Sequence, residues 1–258
     1  MSLKYSIGAA ITAPLLPLLY FQGRKVKNAM PDLPEATGTT GVSGLVTNPR
    51  LKTLVIGEST MAGVGVETHQ EGFAGTLGDE LAEKLDLYVH WHVYAKSGIT
   101  VVRVRDEVLP KIEDKDWDLI VVGIGGNDAF KLNSPRKWKE QVRCLITEIR
   151  NVFGCVPVVF TNMPPIKEFP AFTPLMKWVI GNLVELLGEA LGEVVREFDH
   201  VYYSSEVISI SDWVEELKLE SDIALYFSDG VHPSKLTYQT LAKQLSKFII
   251  KQINLSPA

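Results

Sequence analysis

From residue 51 onward, short apolar runs alternate with longer segments in which apolar residues recur at helical spacing. A short apolar run bounded by turn residues is typical of a buried strand, whereas recurrence at i, i+3, i+4 and i+7 is typical of an amphipathic helix. The runs predict five strands, which lie at Leu51–Ile56, Leu87–Tyr94, Asp118–Val122, Val156–Thr161 and Val201–Tyr203.

Helical segments fill the intervals between these strands and close the chain. Ser134-Pro135 is a favoured helix start, because proline fits the first helical turn. The predicted helices lie near Glu71–Leu85, at about Thr100–Ile112, after Ser134, at about Pro174–Phe198 and at about Ser234–Ile253. Strands that alternate with helices predict a parallel sheet with right-handed crossovers and a three-layer α/β/α sandwich. The order of the strands does not follow from the pattern.

Residues 6–21 form an apolar run that is shorter than the roughly 20 residues of a membrane-spanning helix. Pro14 and Pro17 are expected to disturb its helix, and no small-x-small cleavage pattern follows it. Arg24, Lys25 and Lys27 come after the run and favour the cytoplasmic side for the following domain. We therefore expect an uncleaved peripheral membrane anchor. An export signal and a cap packed on the domain are the alternatives.

Residues 28–50 are rich in proline, glycine and small polar residues and predict an extended connector. The chain is thus divided into an N-terminal apolar segment and connector, residues 1–50, and one α/β domain, residues 51–258.

The composition excludes several classes of function. The 258 residues are 46% hydrophobic and 22% charged, as in an ordinary globular protein, and the net charge of −5 argues against a nucleic-acid partner. Cys144 and Cys155 lie outside any zinc-ligand spacing, so they are expected to be unpaired, with a disulfide only in an exported protein. No metal or organic cofactor is expected.

Three polar stretches lie next to predicted strands or helices, and the fold can bring all three to one edge of the sheet. Gly57-Glu58-Ser59-Thr60 follows the first strand, where ligands bind in open α/β sheets. Gly126-Asn127-Asp128 follows the third strand, and Asp229-Gly230-Val231-His232 precedes the last helix. Asp229 at a spacing of three residues can orient the ring of His232, which would then act as a base for Ser59.

The motifs of other functional sites that follow a strand and a turn are absent from the sequence. The sequence has no G-x-S-x-G elbow, no phosphate-binding P-loop and no G-x-G-x-x-G after the first strand. His90-x-His92 could present two imidazoles on one strand face, but no third ligand is evident, so a half-buried polar face is the favoured interpretation.

Four ordered blocks give the chain a resemblance to the SGNH/GDSL hydrolases from about Leu51 to Ile253. The blocks are Gly57-Glu58-Ser59 with Gly63, Gly98 in Ala95-Lys96-Ser97-Gly98, Gly126-Asn127-Asp128, and Asp229-x-x-His232-Pro233. The resemblance implies a flavodoxin-like fold, with Ser59 as nucleophile, His232 as general base and Asp229 as its orienter. It also implies an oxyanion hole formed by the N–H groups of Ser59 and Gly98 and the side-chain amide of Asn127. Glu58 departs from the family, which usually has Asp before the serine.

These observations predict a serine esterase that hydrolyses esters of short to medium acyl chains through an acyl-enzyme. A lysophospholipase or thioesterase and a carbohydrate O-acetylesterase are alternatives within the enzyme class. A catalytically dead, membrane-tethered binding domain is the alternative outside it. The loops Pro164–Phe172 and Ser205–Tyr226 are expected to line the substrate pocket.

Overall fold

The structure, a computed structural model, describes residues 3–218 and 220–255. Its strands form one sheet in the order β1-β3-β2-β4-β5-β6. Their bounds are β1 Thr40–Ser43, β2 Arg50–Gly57, β3 Tyr88–Ala95, β4 Leu119–Gly123, β5 Val158–Phe160 and β6 Val201–Tyr203.

All five predicted strands are present, and they pair in parallel. Counted among themselves they follow the order 2-1-3-4-5, which is that of flavodoxin-like folds. The prediction of a five-stranded sheet is wrong by one strand, because β1 adds to the edge and runs antiparallel to β3. Its four residues include Gly41, where a Cβ would come within 2.1 Å of the Trp91 ring. A strand so short shows no periodicity and is hidden among turn residues.

The helices surround the sheet on both faces. Shorter 3-10 turns lie at Ala13–Leu15, Leu109–Lys111, Ile166–Glu168 and Ile223–Tyr226, and a π turn lies at Val104–Val108. The α-helices are α1 Leu3–Thr12, α2 Leu16–Ala29, α3 Phe73–Leu85, α4 Val101–Arg103, α5 Gly126–Phe130, α6 Pro135–Phe153, α7 Pro174–Val195, α8 Ile210–Leu217 and α9 Lys235–Gln252.

The predicted helix at about Thr100–Ile112 is present only as three different short turns in series. Pro110 has no N–H to donate and breaks a regular ladder, and several β-branched valines disfavour one. The helix α8 was not predicted, because its eight residues are too few for a clear period.

Two apolar cores, one on each face, hold the sandwich together. On one face α3 and α9 pack against β2 and β3 through residues such as Leu77, Leu245 and Trp91. On the other face α6 and α7 cover β4 and β5 through residues such as Leu145 and Leu187. The sheet is therefore covered on both sides, as expected for parallel strands.

The N-terminal helices pack on the α7 side of the domain. Pro14 and Pro17 lie in the first turns of the 3-10 segment and of α2, where proline is tolerated, so they change only one turn of the helix. Leu19 is buried against the core, and the Thr173 hydroxyl donates to the Gln22 side chain at 2.7 Å.

The helical stretch Lys4–Ala29 is longer than the apolar run that the sequence shows. It has 26 residues, and its most apolar window of 18 residues has a mean hydropathy of 1.2, with only 6% of that window buried. By length and composition it is able to cross a membrane, and a signal sequence has the same properties.

We expect Ser134→Ala to destabilise the domain by about 1 kcal/mol, which lowers Tm by about 2–4 °C. The Ser134 hydroxyl accepts a hydrogen bond from the Lys137 N–H and caps α6, as its sequence predicts. Thermal unfolding followed by circular dichroism measures the change. Ser134→Asn, which keeps a capping oxygen, is the control, and an alanine variant as stable as the asparagine variant would contradict this role for the hydroxyl.

Candidate active site

Three neighbouring strands deliver the central loops of the site to one edge of the sheet. β2 lies between β3 and β4, and the loops that follow them carry Ser59, Gly98 and Asn127. Gly57 pairs with Gly123 where β2 and β4 end. A Cβ on Gly57 would come within 2.1 Å of the Gly123 carbonyl oxygen, so the close approach requires glycine there.

Ser59 is half-buried at the start of a tight turn after β2. The Ala62 N–H donates to the Glu58 carbonyl at 2.9 Å, and the Val64 N–H donates to the Ser59 carbonyl at 3.2 Å. These bonds fix the backbone around the serine. Ser59 is consequently presented on a rigid turn at the carboxyl end of the central strand.

Glu58 is buried and joins the Ser59 turn to the loop that carries Asn127. Its carboxylate accepts from the Gly126 N–H at 2.8 Å, the Asn127 N–H at 2.9 Å and the Asn127 side-chain amide at 2.7 Å. Burial raises the pKa of Glu58 from 4.5 to about 7, although these three donors lower it. The amide group of Asn127 has two N–H bonds, so one remains for another acceptor.

A second buried carboxylate, Asp128, braces the loop that follows β3. Its Oδ2 accepts from the Val101 N–H at 2.9 Å, and its Oδ1 accepts from the Asn133 amide at 3.1 Å. Burial raises the pKa of Asp128, whereas these hydrogen bonds lower it. Gly98 lies in the same loop with a φ of +75°, a conformation that side chains other than glycine rarely adopt.

Asp229 and His232 form the predicted pair. The Nδ1 of His232 lies 2.7 Å from the Asp229 Oδ2, and the Val231 and His232 N–H groups donate to Oδ1 at 2.9 and 2.7 Å. Burial would raise the pKa of Asp229, but the hydrogen bonds and charge of His232 and the Val231 N–H hold it below its usual value. An ionised carboxylate only accepts, so Nδ1 carries the proton and Nε2 is left as the basic nitrogen.

One cavity of about 1160 Å³ lies beside these groups. Ser59, Gly98, Asn127 and His232 all line it. Its walls are mainly apolar and come from α2, α7, α8, the loop between β5 and α7, and the loops on either side of α8. They include Phe169, Phe172, Met176, Ile208, Trp213 and Phe227. Residues of both loops that were expected to line the pocket are therefore found there.

Comparison with known proteins identifies the family. The model of the GDSL-like lipase/acylhydrolase family matches residues 55–240, well over half of the chain. The chain belongs to this family. Among curated proteins, the GDSL esterase/lipase CPRD49 of Arabidopsis thaliana is 20% identical over 200 residues, which cover 72% of this chain and 75% of that protein.

Solved structures agree with this family at the level of the fold. The lipase Lip_vut3 from a goat rumen metagenome is 17% identical, with a TM-score of 0.56 over 76% of this chain and 96% of that one. TesA is 17% identical, with a TM-score of 0.56 over 78% and 99% of the two chains. A family two carbohydrate esterase from Clostridium thermocellum is 17% identical, with a TM-score of 0.56 over 81% of this chain and 66% of that one.

Membership of the GDSL-like lipase/acylhydrolase family supports an ester-hydrolysing enzyme. Residues of all four blocks that resemble this family in the sequence line one cavity. Asp229 itself does not line it and contacts the cavity-lining His232. Glu58, the departure from the usual Asp, makes the hydrogen bonds that hold Asn127, so the longer side chain keeps the two loops connected.

Two groups of residues at the site were not predicted from the sequence. Glu58 and Asp128 belong to the four blocks, but the sequence assigns no partner in another loop to either carboxylate. Leu19 of α2 lies in the apolar run of residues 6–21, for which the sequence predicts an anchor, a signal or a cap, whereas Gly23 and Val26 follow that run and carry no prediction as lining residues.

The other histidines and cysteines considered in the sequence lie outside the cavity. His92 packs edge-on against Trp117, with 5.1 Å between ring centroids, and His90 packs against Tyr88 in the same way at 4.6 Å. Cys144 and Cys155 are free and exposed. Within residues 3–218 and 220–255, no group of three His, Cys, Asp or Glu residues could hold a metal ion.

We expect Glu58 to make the domain less stable as pH rises from about 4.5 to 7. The carboxyl ionises near 4.5 in the unfolded chain and near 7 in the fold, so the folded state holds its proton over that interval. Its contribution to the free energy of unfolding is complete below pH 4.5 and falls by about 3 kcal/mol as pH rises through 7.

Urea denaturation of wild type and Glu58→Gln at pH 5, 6, 7 and 8 measures this dependence. Because the variant cannot titrate at residue 58, the difference in free energy of unfolding between the two proteins should change with pH in the direction stated. A constant difference across the four pH values would show that Glu58 keeps an ordinary pKa.

Proposed function

We propose that the protein is a serine esterase that hydrolyses carboxylic esters through a Ser59–His232–Asp229 triad. The observation that carries the proposal is the Asp229–His232 pair, 2.7 Å apart, beside a cavity that Ser59 also lines. The proposed substrates are esters of short to medium acyl chains, which are also suitable for the assay.

The first half of the reaction acylates the serine. The Ser59 oxygen attacks the ester carbonyl carbon while Nε2 of His232 takes the hydroxyl proton. Negative charge then develops on the former carbonyl oxygen, where the N–H groups of Ser59 and Gly98 and the Asn127 amide would donate to it. One such donor is worth about 10²–10³ in turnover. When the intermediate collapses, the alcohol leaves with the proton from His232.

The second half releases the acid. Water attacks the acyl-serine ester and gives a proton to His232, which returns it to the Ser59 oxygen as the carboxylic acid departs. Asp229 stays ionised throughout and holds the imidazole in one tautomer. The pKa of Asp229, which is below its usual value, suits this role because the carboxylate remains charged at neutral pH.

The cavity walls bear on the alternatives within the enzyme class. Apolar and aromatic side chains dominate them, and they suit an acyl chain better than a sugar, whose hydroxyl groups would lose hydrogen bonds to water. A lysophospholipase or thioesterase is thus favoured over a carbohydrate O-acetylesterase. Comparison of acetylated sugars, lysophospholipids and acyl-CoA as substrates separates the three.

We expect Ser59→Ala to lower kcat for p-nitrophenyl butyrate by about 10⁴–10⁶-fold, because the nucleophile is removed. A fluorophosphonate probe should label wild type and leave the variant unlabelled. Ser205→Ala, at an exposed serine outside the cavity, is the control and should keep wild-type turnover. Turnover of Ser59→Ala at the wild-type rate, or a folded wild type that resists the probe, would favour the alternative of a catalytically dead binding domain.

We further propose that the N-terminal helices attach the protein to a membrane surface. Ile7, Ile11, Leu18 and Phe21 are exposed, and the basic residues Arg24, Lys25 and Lys27 are also exposed near the end of α2. This combination is typical of a helix that lies in the interface of an anionic bilayer. Because Leu19 and Gln22 contact the domain, a peripheral position fits better than a span.

The variant Leu18→Gln/Phe21→Gln should bind vesicles that contain anionic phosphatidylglycerol about tenfold more weakly than wild type, because two apolar side chains no longer leave water. Vesicle co-sedimentation measures the change, and added salt should weaken wild-type binding. Leu45→Gln/Val46→Gln alters two exposed apolar residues outside the helices and is the matched control. Equal binding by all three proteins would rule out this contact.

A further inference from the structure

The helix α2 has two faces with different surroundings. Its cavity-lining residues are Leu16, Leu19, Tyr20, Gly23, Arg24, Val26 and Lys27, and Met30 directly after the helix also lines the cavity. Leu18 and Phe21 are exposed and follow Leu16 and Leu19 by two positions, which places them about 200° away around the helix. The apolar cavity-lining residues, which we call the inner face, are therefore distinct from the exposed pair Leu18 and Phe21, whereas Arg24 and Lys27 line the cavity and are also exposed.

Contacts with the domain hold this inner face in place. Leu19 belongs to the same buried core as Phe172 and Met176, which also line the cavity. The hydrogen bond between Thr173 and Gln22 ties α2 to the first turn of α7. As a result, α2 forms a wall of the cavity, beyond any role as an anchor.

The cavity is larger than a small acyl group requires. Its volume of about 1160 Å³ exceeds the roughly 300–1,000 Å³ of pockets for drug-sized ligands. An acetyl group at Ser59 would leave the wall formed by α2 in contact with water. Apolar walls gain most when an apolar group replaces that water.

We infer that the inner face of α2 is a subsite for a long hydrocarbon chain, so that the substrate is a single-chain lipid ester. The carbonyl group of the ester would lie at Ser59 and its chain would extend along Leu19, Gly23 and Val26. This inference rests on the proposed esterase function and names its substrate class. The chain belongs either to the acyl group or to the alcohol, and the experiment below distinguishes the two.

Gly23→Leu tests the subsite with little disturbance elsewhere. Gly23 lies at the centre of the inner face, and a Cβ added there meets no atom within 4 Å, so the larger side chain takes up open space. Gly8→Leu is the matched control, because Gly8 is also helical, also has no atom within 4 Å of an added Cβ, and lies outside the cavity. Leucine is favoured over glycine in both helices.

The readout is the ratio of kcat/KM for p-nitrophenyl dodecanoate to that for p-nitrophenyl butyrate, below micelle-forming concentrations. One buried methylene is worth about fourfold, so exclusion of two or more by Gly23→Leu should lower the ratio at least tenfold. The same fall in the ratio for dodecyl acetate to ethyl acetate would assign the chain to the alcohol. The control should keep both wild-type ratios, and wild-type ratios in Gly23→Leu for both pairs would overturn the inference.

Product inhibition tests the subsite in the wild-type protein alone. Dodecanoate should inhibit butyrate ester hydrolysis at least tenfold more strongly than hexanoate, because its chain reaches α2. If the chain belongs to the alcohol, dodecanol should likewise inhibit more strongly than hexanol. Equal inhibition within both pairs would overturn the inference whatever the variants do. Either failure leaves the loss of activity in Ser59→Ala intact, whereas an active Ser59→Ala would remove the proposed function itself.

Discussion

The arrangement of the site depends on the buried carboxylate of Glu58, which follows β2 and caps a short helix that follows β4. The short helix α5 begins after Gly125, which has no side chain with which to cap it. Glu58 supplies the missing acceptor and binds the first two N–H groups of α5, those of Gly126 and Asn127. These N–H groups have no partner within the helix and carry the positive end of its dipole. The turn at Ser59 is thereby fixed relative to Asn127.

The same device recurs on the other side of the central strand. The short helix α4 begins after Thr100, whose side chain does not cap it, and Asp128 of α5 accepts from the Val101 N–H. The loops after β2, β4 and β3 are therefore connected in series by two carboxylates. Glu58 holds Asn127 in this way, and Asp128 holds the start of α4 in the loop that carries Gly98.

Sequence reasoning predicted the residues of the site more fully than the contacts that hold them. Ser59 and Asn127 follow apolar runs, and Asp229 and His232 are three positions apart, so local patterns sufficed for them. The bonds of Glu58 to α5 join residues about 68 positions apart and depend on which strands are neighbours, which no local pattern encodes. The strand β1 escaped prediction for a similar reason, since Thr40–Ser43 is defined by its pairing with β3 and has no period of its own.

The protonation of Glu58 bears on how an anion could be stabilised so close to two buried carboxylates. In a water-poor cavity, the charges of Glu58 and Asp128 would repel an oxyanion forming near Asn127. The N–H groups that donate to these carboxylates partly offset their negative charge. Burial raises the pKa of Glu58 to about 7, so near pH 7 this side chain is protonated and neutral in a large fraction of the molecules. A partly protonated Glu58 still accepts from the loop and adds less repulsion. An acid that is difficult to ionise therefore suits this position better than a permanently charged one.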